Sequence, residues 1–174
     1  MEKLGYYSSL LDMSYDEIVA HLLDTYGVAE DDYFKEKSYE RFFNGEINNI
    51  GRGKTSRTSD GLYCHHIYEN KYEKMADADY IRFQKVPFEY QKKEHLVYCD
   101  LIEHAILHAI IANETDGSRG INGLRAFMAP NIEDWYINGI YPKLNWEINC
   151  YNKSFLNPVD AREIVDQVRQ KANM

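Results

Sequence analysis

Long apolar runs, cysteine pairs and surplus positive charge are all scarce in this chain. The longest apolar stretch, Ala105 to Ala112, is interrupted by His108 and is far too short to span a bilayer, so no membrane role is expected. The three cysteines, at uneven separations, make neither a disulfide framework nor a CxxC zinc knuckle. The N-terminus mixes both charge signs and offers no leader-like apolar run, so a reducing cytoplasm is the expected compartment. The net charge of −8 is awkward for a protein that handles nucleic acid, but it is unevenly spread. Residues 1–46 carry eleven acidic and four basic side chains, whereas residues 47–174 carry seventeen and sixteen. Local basic groups stand in the second part: Arg52, Lys54 and Arg57, then Lys85, Lys92 and Lys93, then Arg119 and Arg125.

The 174 residues suit one domain with extensions, and 44% hydrophobic content with fifteen Tyr and seven Phe predicts an aromatic core. Ser14-Tyr15-Asp16-Glu17 is a capping box that opens a helix over about 15–26, with Gly27 as its stop. Residues 48–60 are rich in Gly, Ser, Thr and Asn and read as a linker. Residues 61–68 read as a strand, residues 72–83 as a short helix, and Leu96 to Cys99 as a second strand. Asp100 with Glu103 caps a helix that runs to about Ala112 and is apolar nearly all round, hence buried. Gly117, Gly120 and Gly123 mark a flexible connection, residues 126–156 show no strong period, and Asn157-Pro158 opens a final helix to about Lys171. The chain thus divides into an acidic, mostly helical segment 1–46, a polar linker 47–60, and a region 61–174 that holds most of the histidines and ends in a helical extension.

Five of the six histidines fall between positions 65 and 108: the pair His65-His66, the single His95, and His104 with His108. Positions i and i+4 share one helix face, so His104 and His108 are spaced to share one ion. Imidazole is the commonest metal ligand and the side chain best tuned for proton transfer near neutral pH. Cys64 and Cys99 flank the cluster as thiolate ligands or as small buried residues. Glu69 suits either an acceptor for a ligand imidazole or a solvated charge at the strand end. His21 reads as a surface residue. Adjacent residues on a strand face opposite sides, so His65 and His66 need a bend if both are to serve one site.

Strand, turn, strand and helix, with His-His on the first strand and His-x3-His on the helix, resembles the HNH (ββα-metal) nuclease family. The stretch Arg57-Thr58-Ser59-Asp60-Gly61-Leu62-Tyr63-Cys64-His65-His66, with Pro87-Phe88-Glu89-Tyr90-Gln91 and Leu96-Val97-Tyr98-Cys99, is similar to HNH-like proteins of Gram-positive bacteria and their mobile elements. The resemblance implies an α+β fold with a ββα-metal core and added helices at both ends, in a bacterial or phage-encoded protein. It further implies that His65, His104 and His108 bind one divalent metal (Mg²⁺, Mn²⁺, Zn²⁺ or Ni²⁺) and that His66 is the general base. His95, in the place of the family's usual Asn, would orient that base. The expected activity is endonucleolytic hydrolysis of DNA or RNA. A rival expectation is an acidic inhibitor of the anti-CRISPR kind, which docks through segment 1–46 on a nucleic-acid-handling protein partner.

Overall fold

Residues 2–174 are described by a computed structural model, and no helix among them is long and apolar enough to cross a membrane. The first helix, α1 (Glu2–Leu10), carries no capping signal and contains a glycine; burial of Tyr7 and Leu10 holds it in place. Packing rather than intrinsic propensity stabilises a helix this short. Next, α2 (Tyr15–Tyr26) forms at the expected residues. The Ser14 side chain accepts from the Glu17 N–H, and Glu17 accepts in return from the Ser14 N–H at 2.8 Å. A third helix, α3 (Glu36–Phe43), buries Tyr39 and Phe42, although its sequence shows no clear period.

Residues 47–60 are not a free linker. Phe34 and Arg52 form an antiparallel bridge, the Gly53 N–H donates to Tyr33 O at 2.9 Å, and Tyr98 Oη donates to Thr55 O at 2.8 Å. A Cβ at position 53 would sit 1.8 Å from Asp32 O, so only glycine fits there. The strap is polar because it runs over the surface, yet its backbone is held at several points.

The expected strands condense to β1 (Tyr63–His66) and, after helix α4 (Ala78–Gln84), β2 (Leu96–Cys99). The two pair antiparallel, with His65 opposite Val97 and His66 opposite Leu96. Helix α4 starts at residue 78 rather than 72 because Asp77 caps it, accepting from the backbone N–H groups of Asp79 and Tyr80. Asp100 then caps α5 (Leu101–Glu114) directly after β2, with the Glu103 side chain closing the box. The period-2 alternation sends Val97 and Cys99 into one core with α1, α2 and α5, and sends Leu96 and Tyr98 into a second, aromatic core with Tyr33, Phe34, Tyr39 and Phe42.

Residues 121–137, which show no period in sequence, are helical throughout, with π turns at Leu124–Met128 and Glu133–Ile137. Pro130 has no N–H to bond residue 126, and the helix widens on either side of it. Helices Asn145–Lys153 and Pro158–Lys171 complete the described chain, the latter capped by Asn157 as expected. The fold is α+β. Segment 1–46 is largely helical; Tyr7, Leu10, Tyr15, Ile18 and Leu22 of α1 and α2 lie in the main core with α5, and Tyr33, Phe34, Tyr39 and Phe42 lie in the second.

Candidate metal centre

Beta alternation settles where the histidine pair points. The sheet register is regular through residues 65 and 66, with no bulge, so the two rings face opposite cores. The His65 ring lies toward α5, with ring centroids 5.2 Å from His104 and 5.3 Å from His108. The His66 ring packs in the second core, 4.2 Å from the Tyr33 ring. One helical turn separates His104 from His108, whose centroids are 5.0 Å apart. One nitrogen from each of His65, His104 and His108 falls within a common 4.8 Å.

A tight turn, Ile67–Asn70, follows β1 and carries Glu69 round the strand end. Its carboxylate is 18% exposed and spans both faces of the strand. Oε2 lies 3.7 Å from His65 Nδ1 and 3.1 Å from His108 Nε2, while Oε1 lies 3.8 Å from His66 Nδ1. No bulge is therefore needed to link the pair: one turn residue touches both.

Hydrogen bonds place one proton on each of three rings. Tyr15 Oη donates its only proton to Ile67 O at 2.7 Å, so at 3.0 Å it accepts from His65 Nε2–H. Gly120 O can only accept, so His108 Nδ1, 2.9 Å away, carries the proton. Gln91 Nε2 donates to Met75 O, which turns Gln91 Oε1 toward His66 and makes His66 Nε2 the donor at 2.9 Å. In the neutral rings the lone pairs are then His65 Nδ1, His108 Nε2 and His66 Nδ1, all facing Glu69. His65 Nδ1 and His108 Nε2 are buried and make no aligned hydrogen bond, despite the 3.1 Å approach of Glu69 to the latter. With both rings neutral, two lone pairs face a carboxylate, an arrangement that a cation among them would relieve.

Burial and Glu69 act on the rings in opposite directions. Burial pushes the His65 pKa down to about 3, and burial likewise lowers His66 and His104. His108 differs: burial disfavours its charge, but Glu69 and the Gly120 carbonyl outweigh that and raise its pKa. Burial opposes ionisation of Glu69, yet its histidine neighbours hold the carboxyl below the usual range.

His104, His108 and Glu69 open onto a cavity of about 460 Å³ whose wall includes Glu73, Lys74 and Phe127. Glycines make room for the His108 ring: a Cβ on Gly123 would lie 3.0 Å from its Nδ1. His95 is elsewhere. Its ring packs on Tyr68, 5.0 Å between centroids, and its Nε2 lies 3.5 Å from Glu89 Oε1. The partner that fixes the His66 tautomer is Gln91, which the spacing of histidines gave no reason to single out. Cys64 and Cys99 stay outside the cluster, and burial pushes the Cys64 thiol up to about 12, so it is a packing residue. Arg52 and Arg57 are engaged internally, by Tyr33 Oη and by Tyr26 O and Asp60. His21, partly buried, sits 3.2 Å from Tyr6 Oη.

Comparison of the chain with protein-family models, with curated proteins and with solved structures gave no match.

Proposed function

We propose that the protein is a metal-dependent endonuclease that hydrolyses phosphodiester bonds of DNA or RNA at a ββα-metal site of the HNH type. His65, His104 and His108 would hold one divalent ion. The observation that carries the reading is that hydrogen bonds from Tyr15 and Gly120 leave a lone pair on each of His65 Nδ1 and His108 Nε2, while one nitrogen from each of His65, His104 and His108 falls within a common 4.8 Å beside an open cavity. A divalent ion supplies charge to polarise the phosphoryl oxygen and steady the leaving oxygen.

The chain's own residues supply the rest. His66 is the proton acceptor in this reading: Gln91 holds its Nε2 as donor and leaves the Nδ1 lone pair to take a proton. His66 is 1% exposed, covered by Tyr33 and absent from the cavity wall, so a proton would have to reach it by way of Glu69, whose Oε1 lies 3.8 Å from Nδ1. Glu69 Oε1 then faces the imidazolium and stabilises it. Lys74, on the cavity wall beside Glu73 and Asp77 with its Nζ 3.1 Å from Tyr80 Oη, would offer charge to a phosphate, and Phe127, 64% exposed at the rim, would offer a face to a base.

The test is cleavage of plasmid DNA and of RNA with Mg²⁺, Mn²⁺, Ni²⁺ and Zn²⁺, wild type beside His104→Ala. Cleavage that needs both the metal and His104 supports the reading. No cleavage of any substrate by wild type shifts it to the acidic inhibitor, which the exposed Asp16, Glu17 and Asp24 of α2 favour as a face for a basic protein surface.

A further inference from the structure

We infer that Glu69 is the fourth protein ligand of the metal, through Oε2, so that the set is three imidazoles and one carboxylate; this rests on the three-histidine site proposed above. The argument is geometric. Ligand atoms on neighbouring positions of an ion with bonds of about 2.0–2.2 Å stand about 3.0–3.5 Å apart, and an ion of more than four positions keeps one open for substrate. Glu69 Oε2 stands 3.7 Å from His65 Nδ1 and 3.1 Å from His108 Nε2, the second within that spacing and the first just beyond it. Both nitrogens are buried and lack an aligned hydrogen-bond partner, and neither carries a proton in the neutral ring. With both rings neutral, a carboxylate held there without a cation faces two lone pairs. With a cation among the three atoms, every contact becomes attractive.

Local chain geometry places Glu69 for this purpose. The turn Ile67–Asn70 reverses the chain after β1, and Tyr15 Oη ties Ile67 O into it while also bonding the His65 ring. The same hydroxyl thus fixes a ligand ring and the turn that carries the carboxylate. Glu73 and Asp77 share the cavity wall, but among the described residues Glu69 is the carboxylate that comes within 4 Å of His65 Nδ1 and His108 Nε2.

The donor set has a consequence for metal choice. Three imidazoles with one carboxylate suit Zn²⁺ or Mn²⁺ better than Mg²⁺, which keeps most of its waters. Glu69 also leaves Oε1 directed at His66, so one carboxylate joins the metal site to the proton acceptor on the opposite face of the strand.

The experiment is isothermal titration of the full chain with Zn²⁺, together with the visible spectrum of the Co²⁺-loaded protein, for wild type, Glu69→Gln, Glu69→Asp and Glu73→Gln. Wild type is expected to bind one ion. Glu69→Gln should weaken binding at least about tenfold and change the Co²⁺ spectrum, Glu69→Asp should fall between, and Glu73→Gln should match wild type. Circular dichroism confirms that each variant is folded, and Glu69→Asp keeps the test open if the Gln variant is not. Wild-type binding that Glu69→Gln and Glu69→Asp leave unchanged, with the same Co²⁺ spectrum, overturns the assignment of Glu69 alone. Failure of wild type to bind either metal overturns the three-histidine site and the Glu69 assignment with it.

Discussion

His108 Nδ1 donates to the carbonyl oxygen of Gly120 at 2.9 Å, and that bond decides which nitrogen of the ring is free. Gly120 holds a left-handed φ of +79°, and a Cβ there would come within 2.5 Å of His108 O. Gly120→Ala is therefore expected to destabilise the fold by about 1–3 kcal/mol through backbone strain. At roughly 2–4 °C per kcal/mol for a chain of this size, thermal denaturation should show the drop. The same variant should bind Zn²⁺ more weakly, because the ring loses its anchor.

Removal of the helix histidines tests the metal directly. The double variant His104→Ala/His108→Ala is expected to lose one-to-one binding in titration calorimetry. In wild type, a chelator such as EDTA should lower the melting temperature of metal-loaded protein, since an ion bound only to the folded state stabilises it by mass action. Unchanged calorimetry in the double variant would refute the site.

Proton acceptance is separable from metal binding. His66→Ala should keep the fold and the ion but reduce cleavage by roughly 10²–10⁴-fold, the usual size of a general-base contribution. Gln91→Leu should lose activity as well, by about tenfold or more, because the tautomer is no longer fixed. His95→Ala should change little, since His95 packs against Tyr68 and Glu89 rather than against His66. Rate measurements on the three variants, each checked for bound metal, decide the order.

A buried carboxyl pair below α5 predicts a pH dependence of stability. Asp100 accepts from Tyr7 Oη at 2.6 Å, and its N–H donates to Glu103 Oε2 at 2.7 Å. Burial, and then the adjacent Glu103, push the Asp100 carboxyl up from its ordinary 3.8 to about 7. The folded protein therefore binds more protons than the unfolded chain between those values, so stability falls as pH rises from about 4 to about 7. Asp100→Asn retains the capping oxygen and should flatten this part of a melting-temperature profile; an equally steep profile in the variant would exclude Asp100 as its source.

Much of the secondary structure was legible because its causes are local. Ser14 with Glu17, Asp100 with Glu103, and Asn157 with Pro158 each announce a helix start within four residues, and all three helices begin where those signals stand. The i,i+4 spacing of His104 and His108 likewise put two nitrogens on one face of α5. Helices α1, α3 and residues 121–137 were illegible for the converse reason: they lack strong caps and clean periods, and tertiary packing of Tyr7, Tyr39, Leu124 and Trp135 stabilises them. The polar stretch 47–60 resembled a linker because composition reports solvent exposure, not whether a backbone is hydrogen bonded.

The site divides along the same line. Sequence alone determined that one strand and one helix bring imidazoles into the same part of the chain, since period 2 and period 3.6 are properties of the backbone. Only the tertiary structure decided which nitrogens are free and what faces them. Tyr15 reaches His65 across 50 positions, Gln91 reaches His66 across 25, and Gly120 reaches His108 across 12. Such partners have no fixed spacing, because a hydrogen bond between elements depends on how their faces pack and not on distance along the chain. Glu69 is the intermediate case: its position after β1 is local, but its approach to two histidines on opposite faces of the strand depends on the tight turn that carries it round the strand end.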